Sequence, residues 1–162
     1  MTEKDIYTKL QNKFGDSIIE FIEGEHIDSY ANIKPEDIKE ICLFLRDEEG
    51  LEFDYLSNLC GMDYKDSIGV VYHLYSIKHN HYFTLKVKLN REHPIIDTVE
   101  RVWKAANWHE REAYDMFGIR FEGHPDLQRI LCPEDWEGYP LRKDYVAPKE
   151  YHGMDTTPNR PE

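Results

Sequence analysis

From Asn107 to Leu131 the chain reads NWHEREAYDMFGIRFEGHPDLQRIL, a stretch dense in carboxylates, histidines and guanidinium groups. Three kinds of chemistry could use it. A metal site could draw on His109 and Glu112, three apart on a helix, with Asp115 one turn further and His124 beyond a turn. However, a di-iron bundle needs two Glu-x-x-His pairs and further carboxylates, and a zinc protease needs H-E-x-x-H. The stretch has no Glu-x-x-His pair, and Ala113 stands where the zinc motif wants histidine. Acid–base catalysis could pair Glu112 and Asp115, with His124 as base. Arg111 works against that, because an adjacent cation lowers carboxylate pKa values and makes poorer general acids at neutral pH. The chain also has no G-x-S-x-G, no Gly-rich phosphate loop and no G-x-G-x-x-G. The third use is a docking surface, and it depends on what holds these groups.

The supporting elements follow from periodicity. Ile6, Tyr7, Leu10 and Phe14 recur at helical spacing before Gly15, and IIEFI, residues 18–22, then predicts a strand. Pro35 suits the first turn of a second helix with Ile38, Ile41, Cys42 and Leu45 on one face, and Gly50 stands where a left-handed cap would end it. IGVVYHLYSI, residues 68–77, and YFTLKVKL, residues 82–89, flank KHNH and predict a hairpin with one polar face. Phe53 to Tyr64 is ambiguous between strand and short helix, with a strand favoured near Tyr55. Val99, Val102, Trp103 and Ala106 predict a third helix after Pro94. Asn107 with Glu110 makes an N-cap pair for a fourth, ended by Gly118. On that last helix His109, Ala113, Met116 and Phe117 share the predicted core stripe, while Trp108, Arg111, Glu112 and Asp115 share another face. The expected fold is α+β: a small, mostly antiparallel sheet with helices packed on one face, followed by an extended C-terminal tail. The domain is expected over residues 1–131 and the tail over 132–162.

Composition narrows the function. The net charge of -12 would repel a phosphate backbone, since nucleic-acid affinity comes largely from Lys and Arg. MTEKDIYTKL has no apolar h-region, and no apolar run approaches the roughly 20 residues that span a bilayer, so a soluble cytosolic chain is expected. Cys42, Cys60 and Cys132 form no CxxC pair and are expected as reduced, buried thiols. After Leu131 the chain shows neither helical nor strand period and holds five of its eight prolines, yet it carries Trp136, Tyr139, Tyr145 and Tyr151. Solvated tails are poor in aromatics, whereas a proline-stiffened segment with rigid anchors lies along another protein and orders there. Arg142 and Lys143 beside Asp144 would fix its register. The other reading is that its first half folds back over its own sheet.

EREAYDMFGIRFEGHPDLQRIL followed by PEDWEGYPLRKDY resembles the thirty-kilodalton subunit family of respiratory complex I, the C subunit of the proton-pumping NADH-quinone oxidoreductase. Glu110, Arg111, Glu112, Asp115, Met116, Phe117, His124, Pro125, Asp126, Leu127, Arg129, Ile130 and Leu131 occupy the family pattern, and Gln128 departs from it where a basic residue is usual. The helix from Pro35, FDYLSNLCGMDY and the hairpin also resemble the family's small N-terminal domain, and the short length looks like a single-domain form. The resemblance implies a non-catalytic subunit that binds no metal and no cofactor. FMN, iron–sulfur clusters, NADH and quinone then sit on other subunits. It implies neighbours of the forty-nine-kilodalton and twenty-kilodalton types in a large membrane-associated hetero-oligomer at the cytoplasmic face of the inner membrane. The alternative is the equivalent subunit of a related membrane-bound hydrogenase, or of a complex with another electron donor. The expected interface is Glu110, Arg111, Glu112, Asp115, His124, Asp126, Arg129, Trp136, Tyr139, Arg142, Lys143 and Tyr145.

Overall fold

The computed structural model describes residues 1–24 and 28–156. Helix α1, Glu3–Phe14, begins with a reciprocal capping box between Thr2 and Asp5, buries Ile6 and Leu10, and stops at Gly15, whose φ is 51°. Strand β1, Ile18–Ile22, follows, then β2, Tyr30–Ile33. A 3-10 turn, Pro35–Asp37, leads into α2, Ile38–Asp47, which buries the predicted Ile38, Ile41, Cys42 and Leu45. Strands β3, Tyr55–Asp63, β4, Ser67–Ser76, and β5, His81–Asn90, come next. Then come β6, Ile95–Asp97, helix α3, Ala106–Phe117, and β7, Arg120–Glu122. Two short strands, β8, Glu150–Tyr151, and β9, Met154–Asp155, pair near the C-terminus.

The main sheet has the order β1-β2-β5-β4-β3 and is antiparallel except where β2 meets β5. One face carries Ala31, Ile33, Val70, Tyr72, Phe83, Leu85 and Val87 into a single core with the apolar faces of α1 and α2. A separate parallel pair, β6 and β7, brackets α3. The ambiguous Phe53–Tyr64 segment is thus a strand along most of its length. Strand β2 escaped the sequence reading because YANI is only four residues long.

The sequence placed a helix through Val99, Val102 and Trp103, and the structure has only turns there. Side chains cap the first amides, and a single turn closes on the Val99 carbonyl from the Val102 and Trp103 amides. The Val99 amide donates to Glu110 and the Glu100 amide to the Thr98 hydroxyl, while the Thr98 amide extends the β6–β7 pairing to the Glu122 carbonyl. The three apolar residues are buried all the same, and Trp103 Nε1 donates to the Phe53 carbonyl at 2.8 Å. Likewise Gly50, with φ 82°, lies in the turn beyond α2, whose C-cap is Glu48. Cys42 is buried as expected, whereas Cys60 and Cys132 are only partly buried.

Helix α3 sits against the β3 edge because Gly61 lacks a side chain: a Cβ there would lie 2.4 Å from the Phe117 ring. Gly61→Ala must push α3 outward or distort β3, and overpacking of this kind costs about 1–3 kcal/mol. Chemical denaturation should show a loss in that range, and an unchanged midpoint would show that the contact is loose.

Candidate docking site

Helix α3 is the spine of the site, and its two buried carboxylates hold the segments on either side. Neither is where the sequence put it. Asp115, expected on an outward charged face, is 0 % exposed, and so is Glu110, expected to be an N-cap partner. The N-cap is Ala105, without a side-chain bond, and Asn107 lies inside the first turn. His109, assigned to the core stripe, is only partly buried, while Ala113 and Met116 are buried as predicted.

Asp115 organises everything from Arg129 onward. Its Oδ2 accepts the consecutive amides of Ile130, Leu131 and Cys132 at 3.0, 2.7 and 2.9 Å, and Oδ1 accepts Arg129 Nη1 at 2.7 Å. Burial alone would raise its pKa. The Cys132 amide, the Arg129 guanidinium and the Leu131 and Ile130 amides outweigh that and hold the carboxyl below its ordinary range. Arg129 also donates to the Asp115, Trp136 and Gly138 carbonyls, so one guanidinium joins helix, turn and tail. Arg111 makes no ion pair with Glu112 or Asp115. It donates instead to the Gln128 and Arg129 carbonyls and lies 5.3 Å from the Trp108 ring centre.

Glu110 ties the turn before α3 to the H-P-D-L turn after it. Its Oε1 accepts the Val99 amide at 2.8 Å and its Oε2 meets the Thr98 hydroxyl at 2.5 Å. Burial pushes this carboxyl up to about 7, against the lowering effect of those two bonds. The His124 ring, with its side chain fully covered, places Nε2 3.9 Å from Oε2 and 3.2 Å from the Asn107 carbonyl. The Asp126 amide donates to His124 Nδ1 at 3.0 Å, which requires that nitrogen to be unprotonated, so Nε2 carries the hydrogen and the ring is neutral. Asp126 itself is exposed and receives the Gln128 side-chain amide.

The tail follows the second sequence reading through its first half. Tyr139 lies over Gly118, where a Cβ would stand 2.4 Å from its ring, and Arg129 and Arg142 flank that ring at 5.4 and 4.9 Å. Arg142 Nε and the Leu141 amide cap the last carbonyls of α3, on Phe117 and Met116. The Lys143 amide reaches Asp63, a side chain only 2 % exposed that also takes a bidentate contact from Arg91, and Arg91 extends to Asp144. Trp136 packs on Tyr151, whose hydroxyl donates to Asp135, and the Tyr145 ring covers Gly138. These anchors are therefore spent inside the chain rather than held out along a groove. The last six residues of the predicted tail, 157–162, lie outside the described residues.

What remains outward is different in kind. Trp108 is 65 % exposed, Leu131 62 % and Leu141 54 %, with Glu112 and the Lys143 side chain also exposed. Trp108 and Leu141, missed as interface candidates, carried no signal beyond their apolar type on an otherwise polar stretch. Arg111 links Trp108 to the carbonyls beside Leu131, and Glu112 shares a small hollow with Leu141, so the patch runs across one side of α3.

Comparison with known proteins places the chain in a family. The model of the family described as respiratory-chain NADH dehydrogenase, 30 Kd subunit, matches residues 31–151. The NADH-quinone oxidoreductase C subunit of Chloroherpeton thalassium is 45 % identical over 158 residues, 91 % of this chain and 62 % of that protein. The corresponding protein of Chlorobium phaeobacteroides is 46 % identical over 151 residues, 91 % of either chain. Among solved structures, a trypsin-resistant fragment of Nqo5 aligns with a TM-score of 0.64 at 28 % identity, over 78 % of this chain and 100 % of that fragment. A chain of the membrane-bound sulfane sulfur reductase, an archaeal respiratory membrane complex, shares the fold with a TM-score of 0.73 at 21 % identity, over 88 % of this chain and 85 % of that one.

Asp115→Asn leaves Arg129 without its counter-charge and weakens the acceptor for three amides, so a loss of about 3–5 kcal/mol is expected at neutral pH. Because the folded pKa is depressed, the ionised group stabilises above the ordinary carboxylate pKa of about 4, and that contribution disappears as pH falls through the lower folded value. Unfolding measured against pH should show a shallower acid-side decline in the variant. Equal stability of the two proteins at pH 7 would refute the assigned role.

Proposed function

We infer that this chain, which belongs to the respiratory-chain NADH dehydrogenase 30 Kd subunit family, serves its complex as a non-catalytic docking subunit. The observation that carries the reading is that Glu110, Arg111, Asp115, His124 and Arg129 are committed to internal hydrogen bonds, while Trp108, Leu131 and Leu141 face outward. A buried carboxylate that accepts three amides and a guanidinium is a fixed structural ion, with no lone pair directed at a substrate. Large apolar side chains rimmed by charge are what a protein partner covers. In this reading the chain supports the quinone-reducing module by packing on the forty-nine-kilodalton and twenty-kilodalton type subunits, and it is held through them at the cytoplasmic face of the inner membrane. FMN, the iron–sulfur clusters, NADH and quinone are bound by other chains. Among the described residues no helix is long and apolar enough to cross a membrane. The equivalent place in a complex with another electron donor is the second reading, favoured by the fold shared with the sulfane sulfur reductase chain.

The test replaces the chain with tagged variants in its native membranes. Trp108→Ala with Leu131→Asp should cut recovery of cluster-bearing subunits at least about 10-fold, the scale of a lost hot spot, while circular dichroism of the isolated variant stays native. Arg111→Ala, which uncaps two carbonyls, should lower assembly as well. Undiminished co-purification and NADH:quinone activity in the double variant would remove the docking surface from consideration. Quinone reduction from another donor in the wild-type complex, with none from NADH, would select the second reading.

A further inference from the structure

Among the described residues, Glu110 differs from the other buried carboxylates in having no paired cation. Asp63 faces Arg91 and Asp115 faces Arg129, whereas the only basic side chain within ion-pair reach of Glu110 among the described residues is His124, whose ring is neutral. The groups packed around Glu110 do not compensate either. They are the Cys42 thiol from α2, the Tyr72 hydroxyl from β4, and Glu100 from the preceding turn, whose carboxylate pairs with Lys104. Sealing an uncompensated carboxylate from water favours its neutral form.

The local hydrogen bonds respond differently to the two forms. The Thr98 hydroxyl, which already receives the Glu100 amide, donates its own hydrogen to Oε2 and so favours the ionised form. The Val99 amide needs only a carbonyl-type acceptor, which Oε1 supplies in both states. Ionisation changes the pull on His124, because Nε2–H then faces a full negative charge at 3.9 Å in place of the Asn107 carbonyl at 3.2 Å. The same ring holds the Asp126 amide through Nδ1, so a shift of His124 is passed to the H-P-D-L turn.

We propose that Glu110 is a proton-binding site inside this subunit, exchanging its proton with a shift of His124 and of the H-P-D-L turn that this ring holds. Burial places the exchange near pH 7, the value to which the carboxyl is raised. The sign is set by the direction of the shift. A carboxyl whose pKa rises on folding stabilises the fold at acid pH, and this contribution is lost as pH climbs through the folded value.

The isolated full chain tests this independently of docking. Infrared difference spectroscopy across pH 5 to 9 should show a protonated-carboxyl band that titrates near neutrality, and thermal unfolding should show stability falling from the ordinary carboxyl range up to about pH 7 and levelling above it. Glu110→Gln should remove the band and flatten the loss. Two further variants move the titration without touching Glu110. Thr98→Val removes a bond to the ionised form and should shift the midpoint to higher pH. Glu100→Gln removes a repelling charge and should shift it to lower pH. Opposed shifts would establish Glu110 as the group. No carboxyl band at pH 6, or a midpoint unmoved in both neighbouring variants, would overturn the proposal even if Glu110→Gln failed to fold.

Discussion

The Asp115 carboxylate is the contact from which the functional half of the chain is built. A segment running from Arg129 to Cys132 has no regular partner for its amides, and unsatisfied buried amides are costly. Asp115 takes three of them in succession, together with the Arg129 side chain. Arg129 then fixes the carbonyls at Trp136 and Gly138, which sets the approach of Tyr139 to Gly118 and of Arg142 to the end of α3. The chain of dependence runs from one helix position to a tail more than twenty residues away.

Two buried carboxylates on one helix reach opposite electrostatic solutions. Asp115 is surrounded by donors and a guanidinium and stays charged, so it acts as a permanent staple. Glu110, one turn earlier, has two donors and, among the described residues, no paired cation, and burial dominates. Burial and hydrogen bonding compete at both sites, and the number of donors decides the winner. Asp115 thus holds the start of the tail, while Glu110 is the site of the proposed proton exchange beside the turn.

Periodicity made the scaffold legible and misled where side chains replaced backbone partners. The faces of α1 and α2, the β4–β5 hairpin and the end of α3 at Gly118 all follow from apolar spacing and glycine position. Val99, Val102 and Trp103 also have helical spacing, yet only a single turn closes there, on the Val99 carbonyl, and spacing carries no record of how soon a turn will end. The same blindness put Asp115 on an outer face, because a charged residue at that position predicts solvent unless the sequence reveals a distant Arg129 and three free amides. For the tail, aromatic content correctly signalled that it packs on protein. Composition could not say that the protein is its own chain.

Where the tail lies matters for how such a subunit meets its neighbours. With Trp136, Tyr139 and Tyr145 already seated and Arg142 spent on the α3 C-terminus, ordering costs that an unstructured tail would meet on binding are met during folding. The surface left for a partner is then small and pre-formed, set by Trp108, Leu131 and Leu141 on backbone that Arg111 and Asp115 hold in place. Affinity at such a surface depends less on the number of charges nearby than on how firmly its few apolar anchors are positioned. That explains why a segment so rich in apparent catalytic groups directs them inward: their work is to keep three exposed side chains in fixed relation.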